Sequence, residues 1–151
     1  MQPLGYYRHL NFPPRKYQAD TGNAIWRRGL YIHWQRQFLH PMLKAFDAPS
    51  REECSAARPQ SNTPLAALVL LNDPTFIEAA KSFAKKIIQE GGSSIEDRIA
   101  YAFQHAVSRP PDSFEKDTLA ALIDPKQTSS TESWTPVARA IINLAETNLR
   151  R

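Results

Sequence analysis

The chain has 151 residues, of which 42% are hydrophobic and 23% charged, so its composition is that of one globular domain and excludes disorder along its whole length. The longest apolar run, residues 64–71, is too short for a bilayer, which takes about 20 residues, so no membrane insertion is expected. Near Met1 there is no apolar segment of a signal peptide, and the single Cys54 excludes an internal disulfide and a C-x-x-C-H haem motif.

The net charge of +4 is unevenly distributed. Residues 1–60 hold nine Lys/Arg and four Asp/Glu, for +5, whereas residues 61–151 hold ten and eleven, for −1. The basic residues stand singly or in pairs, such as Arg27-Arg28, and form no long tract. This scatter argues against a nucleic-acid site and favours a solvated surface or a contact with an acidic neighbour.

Residues 1–61 contain six of the twelve prolines and nine of the fifteen aromatic residues. Because large aromatic side chains need a surface to pack on, we predict an irregular segment that belongs to the same domain as the rest and whose packing partner is partly absent. One helix is expected at about residues 22–39, capped by Asp20 or Thr21 and ended by Pro41. The partly alternating run LYIHWQRQF leaves a strand as the alternative.

Residues 62–151 are predicted to form a helical bundle. A capping residue directly precedes proline three times, at Thr63-Pro64, Asp73-Pro74 and Thr135-Pro136, and this pair is typical of a helix start. The helix after Thr63, LAALVLL, is apolar on every side, so it is predicted to be the buried central element.

The helix after Asp73 carries an apolar stripe that runs from Phe76 to Ile88, and Gly91-Gly92 ends it. Ser94 begins the next helix, with Asp97 in a near capping box.

The last two helices lie between the Pro110-Pro111 pair and the end of the chain. Asp112 and Glu115 occupy capping-box positions in the first of them, which Asp124-Pro125 closes. The run KQTSSTES is predicted to be a loop before the final helix, which starts at Pro136. Together these elements predict an all-α fold, a compact bundle of about five to six helices.

Several strings of the sequence resemble a known domain. The resemblance rests on Arg27-Arg28 with Leu30-Tyr31, Phe46-Asp47-Ala48-Pro49, Arg51-Glu52, Asn62-Thr63-Pro64-Leu65, Leu70-Leu71-Asn72-Asp73-Pro74, Arg109-Pro110-Pro111 and WTPVARAIINLAET. The chain thereby resembles, over about residues 15–149, the C-terminal domain of unknown function 1553 of planctomycetal proteins that carry a cytochrome-c-like domain.

The resemblance implies that the chain is the C-terminal part of a larger multidomain protein. The parent would be exported, hence periplasmic or otherwise extracytoplasmic. Its haem c would belong to an upstream domain, so no cofactor is expected in this chain. The partners it implies are the missing N-terminal domains, and the family supplies no catalytic residues to carry over.

A polar cluster is the first candidate site. Its members lie near predicted helix ends: Asp47, Arg51, Glu52, Arg58, Asn62, Asn72 and Asp73. They would line a pocket for a sugar or polysaccharide, and Asp47, Glu52 and Asp73 would serve a hydrolytic enzyme. The alternative is structural, with Asp73 and Asn62 or Thr63 as helix caps and Asp47 in a turn.

The second candidate site is a docking or sugar-stacking surface formed by Trp26, Arg27, Arg28, Tyr31 and Trp34, with core packing of the aromatic residues as the alternative. The four histidines show no metal-binding spacing, so no metal site is expected. The sequence therefore favours a non-catalytic helical module over a carbohydrate-active enzyme and over a basic nucleic-acid binder.

Overall fold

The computed structural model describes residues 18, 20–32, 34, 39–49, 54, 56–57 and 63–148. Within these residues the secondary structure is helical and no strand is present, so the all-α prediction is confirmed. The chain divides into two compact units, Met1–Ser61 and Asn62–Arg151.

The first unit contains two 3-10 helices, Gly22–Trp26 and Gly29–Tyr31, and the short helix α1, Pro41–Ala45. A continuous helix over residues 22–39 is therefore wrong for the described residues, and the strand alternative is absent from them as well. Arg27 and Arg28 are extended between the two 3-10 helices. Gly29 weakens an α-helix by about 1 kcal/mol relative to alanine, and its carbonyl accepts a 3.1 Å hydrogen bond from the Trp34 indole.

The second unit is a bundle of α2 (Pro64–Asn72), α3 (Pro74–Glu90), α4 (Ile95–Val107), α5 (Ser113–Ala120), α6 (Thr131–Ile142) and α7 (Ala145–Asn148). Four predicted caps are confirmed. The side chains of Thr63, Asp73, Ser94 and Asp112 each accept a hydrogen bond from a first-turn backbone N–H. These bonds satisfy amides that have no partner inside their own helix.

The packing of α3 against α6 forms the centre of the bundle. The core consists of side chains from α3, α4, α5, α6 and the segment after α5: Ala80, Ala84, Ile87, Ile99, Ala102, Phe103, Leu119, Ile123, Trp134, Val137, Ala138 and Ile141. Small residues on both central helices, Ala80, Ala84 and Ala138, are fully buried and let the helix backbones approach closely.

The helix α2 lies at the edge of this core, so its predicted central position is wrong. Ala66 and Leu70 are buried, but Leu65 is 61% exposed and Leu68 is 57% exposed. An evenly apolar helix of nine residues gives no sign of which face its neighbours will cover. Here α3 and α6 cover only one face.

The last long helix begins five residues before the predicted start at Pro136. Ser130 caps α6 by accepting a hydrogen bond from the Glu132 N–H, and Pro136 lies inside the helix. Proline cannot donate to the Glu132 carbonyl, but Glu132 is exposed, so water can reach that group. The early start places Trp134 in the core with no exposed surface, and this burial outweighs the lost hydrogen bond.

The turn between α3 and α4 depends on two adjacent glycines. A Cβ at Gly91 would lie 2.5 Å from the Ile87 carbonyl oxygen and 3.0 Å from the Arg98 Cα. Gly92 has a φ of +89°, a left-handed conformation that glycine adopts without strain. The predicted left-handed end of this helix is therefore confirmed at Gly92.

Replacement of Trp134 by alanine tests whether α6 organises the bundle. We expect Trp134→Ala to lower the free energy of unfolding by about 3–5 kcal/mol, because it leaves a large cavity in the core. The matched control is Phe114→Ala, which removes an aromatic ring that is 76% exposed and should change stability by at most about 0.5 kcal/mol. Urea unfolding followed by circular dichroism provides the measurement, and equal effects of the two variants would contradict the assignment.

Candidate functional site

Three members of the predicted polar cluster lie in the described residues, and the structure assigns local roles to two of them. The Asp73 carboxylate caps α3 by accepting a 2.8 Å hydrogen bond from the Thr75 N–H. The Asn72 side-chain amide donates a 3.0 Å hydrogen bond to the Leu68 carbonyl, one turn earlier in α2. The Asp73 cap corresponds to the structural alternative for this cluster, which assigns no role to Asn72.

Asp47 follows α1 in the other unit and has a φ of +54°, a left-handed turn conformation that aspartate tolerates better than most residues. Its backbone N–H donates to the Lys44 carbonyl at 3.3 Å. The remaining members of the cluster, Arg51, Glu52, Arg58 and Asn62, lie outside the described residues.

The second candidate surface is accessible in the first unit. Trp26 is 45% exposed and Tyr31 is 68% exposed, so for these two aromatic residues the core-packing alternative is wrong. Arg27 and Arg28 are also exposed. Trp34 is half-buried and donates its indole N–H to the Gly29 carbonyl, so it supports the turn from which Tyr31 projects.

An ion cluster in the second unit has no counterpart among the predicted sites. The Arg109 guanidinium donates to both carboxylate oxygens of Glu115, at 2.6 and 2.8 Å, and its Nε donates to Glu146 at 2.8 Å. It also lies 5.2 Å from the centre of the Phe103 ring. The cluster joins the end of α4 to the beginning of α5 and to α7.

Glu115 also completes a capping box at the start of α5. It accepts a 2.8 Å hydrogen bond from the Asp112 N–H, and the Asp112 side chain accepts from the Glu115 N–H. The capping box is predictable because both partners are three residues apart. The bond to Glu146 spans 37 residues, and no sequence signal indicated it.

The ion pair changes the acidity of both partners. Hydrogen bonds from Arg109 lower the pKa of the Glu115 carboxyl from its ordinary value of 4.5 to about 2. Hydrogen bonds to Glu115 and Glu146 raise the pKa of Arg109, which stays protonated at every pH at which the protein is folded. The pairing therefore keeps Arg109 and Glu115 oppositely charged at neutral pH.

A second cluster lies between α3 and α4. The His105 ring stacks on Phe83 at 5.9 Å and on Tyr101 at 5.7 Å between centres, and its Nε2 is 3.3 Å from the Lys86 amine. Tyr101 donates a hydrogen bond to Glu90, which raises the pKa of the phenol. The cluster therefore connects α3 to α4 through stacked rings.

Two arginines bind backbone carbonyls at helix ends. Arg98 donates to the Gly92 carbonyl at 3.0 Å and to the Thr128 carbonyl at 2.8 Å, and Thr128 also accepts from the Trp134 indole. Arg139 of α6 donates to the Leu71 carbonyl at the end of α2. These guanidinium groups therefore connect segments of the bundle.

The structure gives two general findings about sites. Across the described part of the chain, no group of three or more His, Cys, Asp and Glu side chains is placed to hold a metal ion. No helix in the same residues is both long enough and apolar enough to cross a membrane.

Two substitutions of Asp73 separate its role as a helix cap from a role of its negative charge. We expect Asp73→Ala to destabilise the chain by about 0.5–2 kcal/mol, since it removes the cap of α3, and Asp73→Asn to retain nearly full stability because asparagine caps equally well. Thermal unfolding of the two variants provides the measurement. Equal destabilisation by both would show that the carboxylate charge has a role beyond the cap.

Acid unfolding tests the Arg109–Glu115 ion pair. Because folding lowers the Glu115 pKa, this carboxylate adds stability above its unfolded pKa of 4.5, and the contribution is lost as the pH falls from about 5 towards 2. Glu115→Gln keeps the capping box but removes the charge, so its urea midpoint should fall less steeply over that range. The control is Asp117→Asn, which removes an exposed carboxylate from the same helix. Parallel midpoint curves for wild type and Glu115→Gln would contradict the assignment.

Comparisons with known proteins identify a family. A model of the family described as "PSD1: Protein of unknown function (DUF1553)" matches residues 2–123, a range that starts and ends earlier than the resemblance predicted. No curated protein and no solved structure matches the chain. The match covers more than half of the chain and stops before α6, which supplies Trp134 and Val137 to the core. The chain belongs to this family of proteins of unknown function.

Proposed function

We propose that the chain is a non-catalytic helical module that packs against another domain of a larger protein, and that α2 provides the contact. The observation that carries the proposal is the outer face of α2, where Leu65 and Leu68 are more than half exposed. The two leucines are three residues apart, so they lie on one side of the helix.

The composition of α2 supports an interface. None of its nine residues is charged, and exposed helices of soluble domains normally carry polar residues on the outer face. Covering one leucine completely contributes about 1.5–3 kcal/mol, and each of these two still has more than half of that gain available. A domain joined to the same polypeptide can use this gain without the full entropy cost of association between separate molecules.

The partner that we propose is an upstream domain of the same parent polypeptide. The resemblance of the sequence supports this choice, since it implies an exported, extracytoplasmic parent with further domains before this one. A haem c would be bound by one of those domains. In the described residues, the Asp73 cap and the Arg109–Glu115 ion pair have structural roles, which favours packing over the hydrolytic or polysaccharide-binding alternative.

Dye binding to the chain tests whether the α2 face is available. We expect Leu65→Gln/Leu68→Gln to bind less of a hydrophobic fluorescent dye than wild type, with little change in the unfolding midpoint because both side chains are exposed. The matched control is Phe114→Gln/Leu122→Gln, which changes two exposed apolar residues in and just after α5. Phe114 is the second residue of α5, as Leu65 is the second residue of α2.

The docking step is tested with the upstream part of the parent produced as a separate protein. Wild type and the α5 control should co-migrate with it in gel filtration, and Leu65→Gln/Leu68→Gln should not. Hydrogen exchange should slow in α2 of the wild-type complex. Undiminished association of the α2 variant, or no association of wild type, would overturn the proposal.

A further inference from the structure

The longest acid-free part of the first unit is a basic and apolar stretch. Residues 21–46 contain no Asp or Glu, whereas four Lys/Arg residues occur in them: Arg27, Arg28, Arg36 and Lys44. The described part of this stretch includes both 3-10 helices and α1. A partner of this segment therefore meets only neutral or positively charged side chains.

Among the described residues of this stretch, five large apolar side chains are exposed, and four of them lie within residues 25–31, the fifth being Met42 of α1. Ile25 is 41% and Trp26 45% exposed at the end of the first 3-10 helix, and Leu30 is 72% and Tyr31 68% exposed in the second. Arg27 and Arg28 stand between the two pairs and are exposed as well. Seven consecutive residues span at most about 25 Å, so these exposed side chains lie close together, and we call them with Arg27 and Arg28 the 25–31 patch.

Contacts of Gly29 with buried and half-buried residues fix the backbone of the second 3-10 helix. Gly29 faces Leu43 of α1, since a Cβ built on Gly29 would lie 3.4 Å from the Leu43 side chain, and Leu43 is buried. The Gly29 carbonyl accepts hydrogen bonds from the Trp34 indole at 3.1 Å and from the Ile32 N–H at 3.3 Å. These contacts fix the backbone at Gly29, directly before the exposed Leu30 and Tyr31 side chains.

We propose that the 25–31 patch binds the surface of an anionic lipid bilayer. Trp and Tyr prefer the interfacial layer of a membrane, where an apolar ring and a polar edge are both accommodated. Leu30 and Ile25 gain from contact with acyl chains, and Arg27 and Arg28 reach the phosphates of the headgroups while their stems remain in the apolar layer. Charge complementarity with acidic lipids therefore accompanies apolar burial in one short segment.

The exposed aliphatic residues favour lipid over nucleic acid. Both partners present phosphates to Arg27 and Arg28, and both accept aromatic side chains. Nucleic acid offers base faces, on which Leu30 and Ile25 cannot stack, and these two are among the exposed members of the patch. The proposal is independent of packing through α2, because it concerns a different unit and different residues.

Vesicle sedimentation with the full chain tests the proposal. We expect the wild-type chain to sediment with vesicles of phosphatidylcholine and phosphatidylglycerol, and to remain in solution with pure phosphatidylcholine vesicles. Raising the salt concentration should weaken sedimentation, because the headgroup contacts are electrostatic. Each basic residue near such a surface strengthens binding about fivefold, so Arg27→Gln/Arg28→Gln should weaken it roughly 25-fold.

Variants of the apolar residues, together with matched controls, distinguish vesicle binding through this patch from nonspecific adsorption of the protein. Leu30→Gln/Tyr31→Gln should abolish detectable sedimentation, with an unchanged unfolding midpoint because both residues are exposed. Two controls should bind as wild type does. Lys81→Gln/Lys85→Gln removes two exposed charges from α3, and Leu65→Gln/Leu68→Gln removes the exposed leucines of α2.

Three results would overturn the proposal. The first is equal sedimentation of the wild-type chain with neutral and anionic vesicles. The second is a loss of binding in the Lys81→Gln/Lys85→Gln or the Leu65→Gln/Leu68→Gln control that is as large as the loss in the variants of the 25–31 patch. The third is binding of a fluorescent single-stranded oligonucleotide without any binding to vesicles, which would assign the patch to nucleic acid.

Discussion

The close packing of α6 on α3 is the contact on which the helical unit depends. Ala80 and Ala84 on α3 and Ala138 on α6 have no exposed surface, so the two backbones approach without a large side chain between them. Trp134 fills the remaining volume near the beginning of α6. The helices α2, α4 and α7 also contact α6 and therefore take their positions from this pair. Loss of the α3–α6 contact would leave the other helices without a common surface.

The parts of this fold that the sequence predicts are those governed by neighbouring residues. A cap such as Thr63, Asp73 or Asp112 acts within three residues of itself, so its pattern is visible in the sequence. The start of α6 differs from the predicted start at Pro136. The local Thr135-Pro136 signal competes with the burial of Trp134, and this tertiary packing determines that the helix begins at Thr131. The exposure of α2 was mispredicted for a related reason, since an evenly apolar helix does not indicate which side its neighbours cover.

The polar contacts between distant segments are equally difficult to predict from the sequence. Arg109 bonds Glu146 across 37 residues, Arg98 bonds the Thr128 carbonyl across 30, and Arg139 bonds the Leu71 carbonyl across 68. In the sequence each is an ordinary basic residue on or beside a helix. Their guanidinium groups donate to backbone carbonyls and to a carboxylate of distant segments. These three arginines thus bind groups of the same chain, so a count of charges does not by itself indicate a binding site.

The distribution of polar and apolar contacts has a consequence for recognition. In the helical unit, Asp73, Glu115 and Arg109 already bind groups of the same chain, so a new partner would have to displace these bonds to use their charges. The exposed leucines of α2 and the 25–31 patch instead offer apolar surface that is open to solvent. Burial of apolar surface is therefore the gain that these two surfaces offer a partner, and Arg27 and Arg28 favour a partner that carries negative charge.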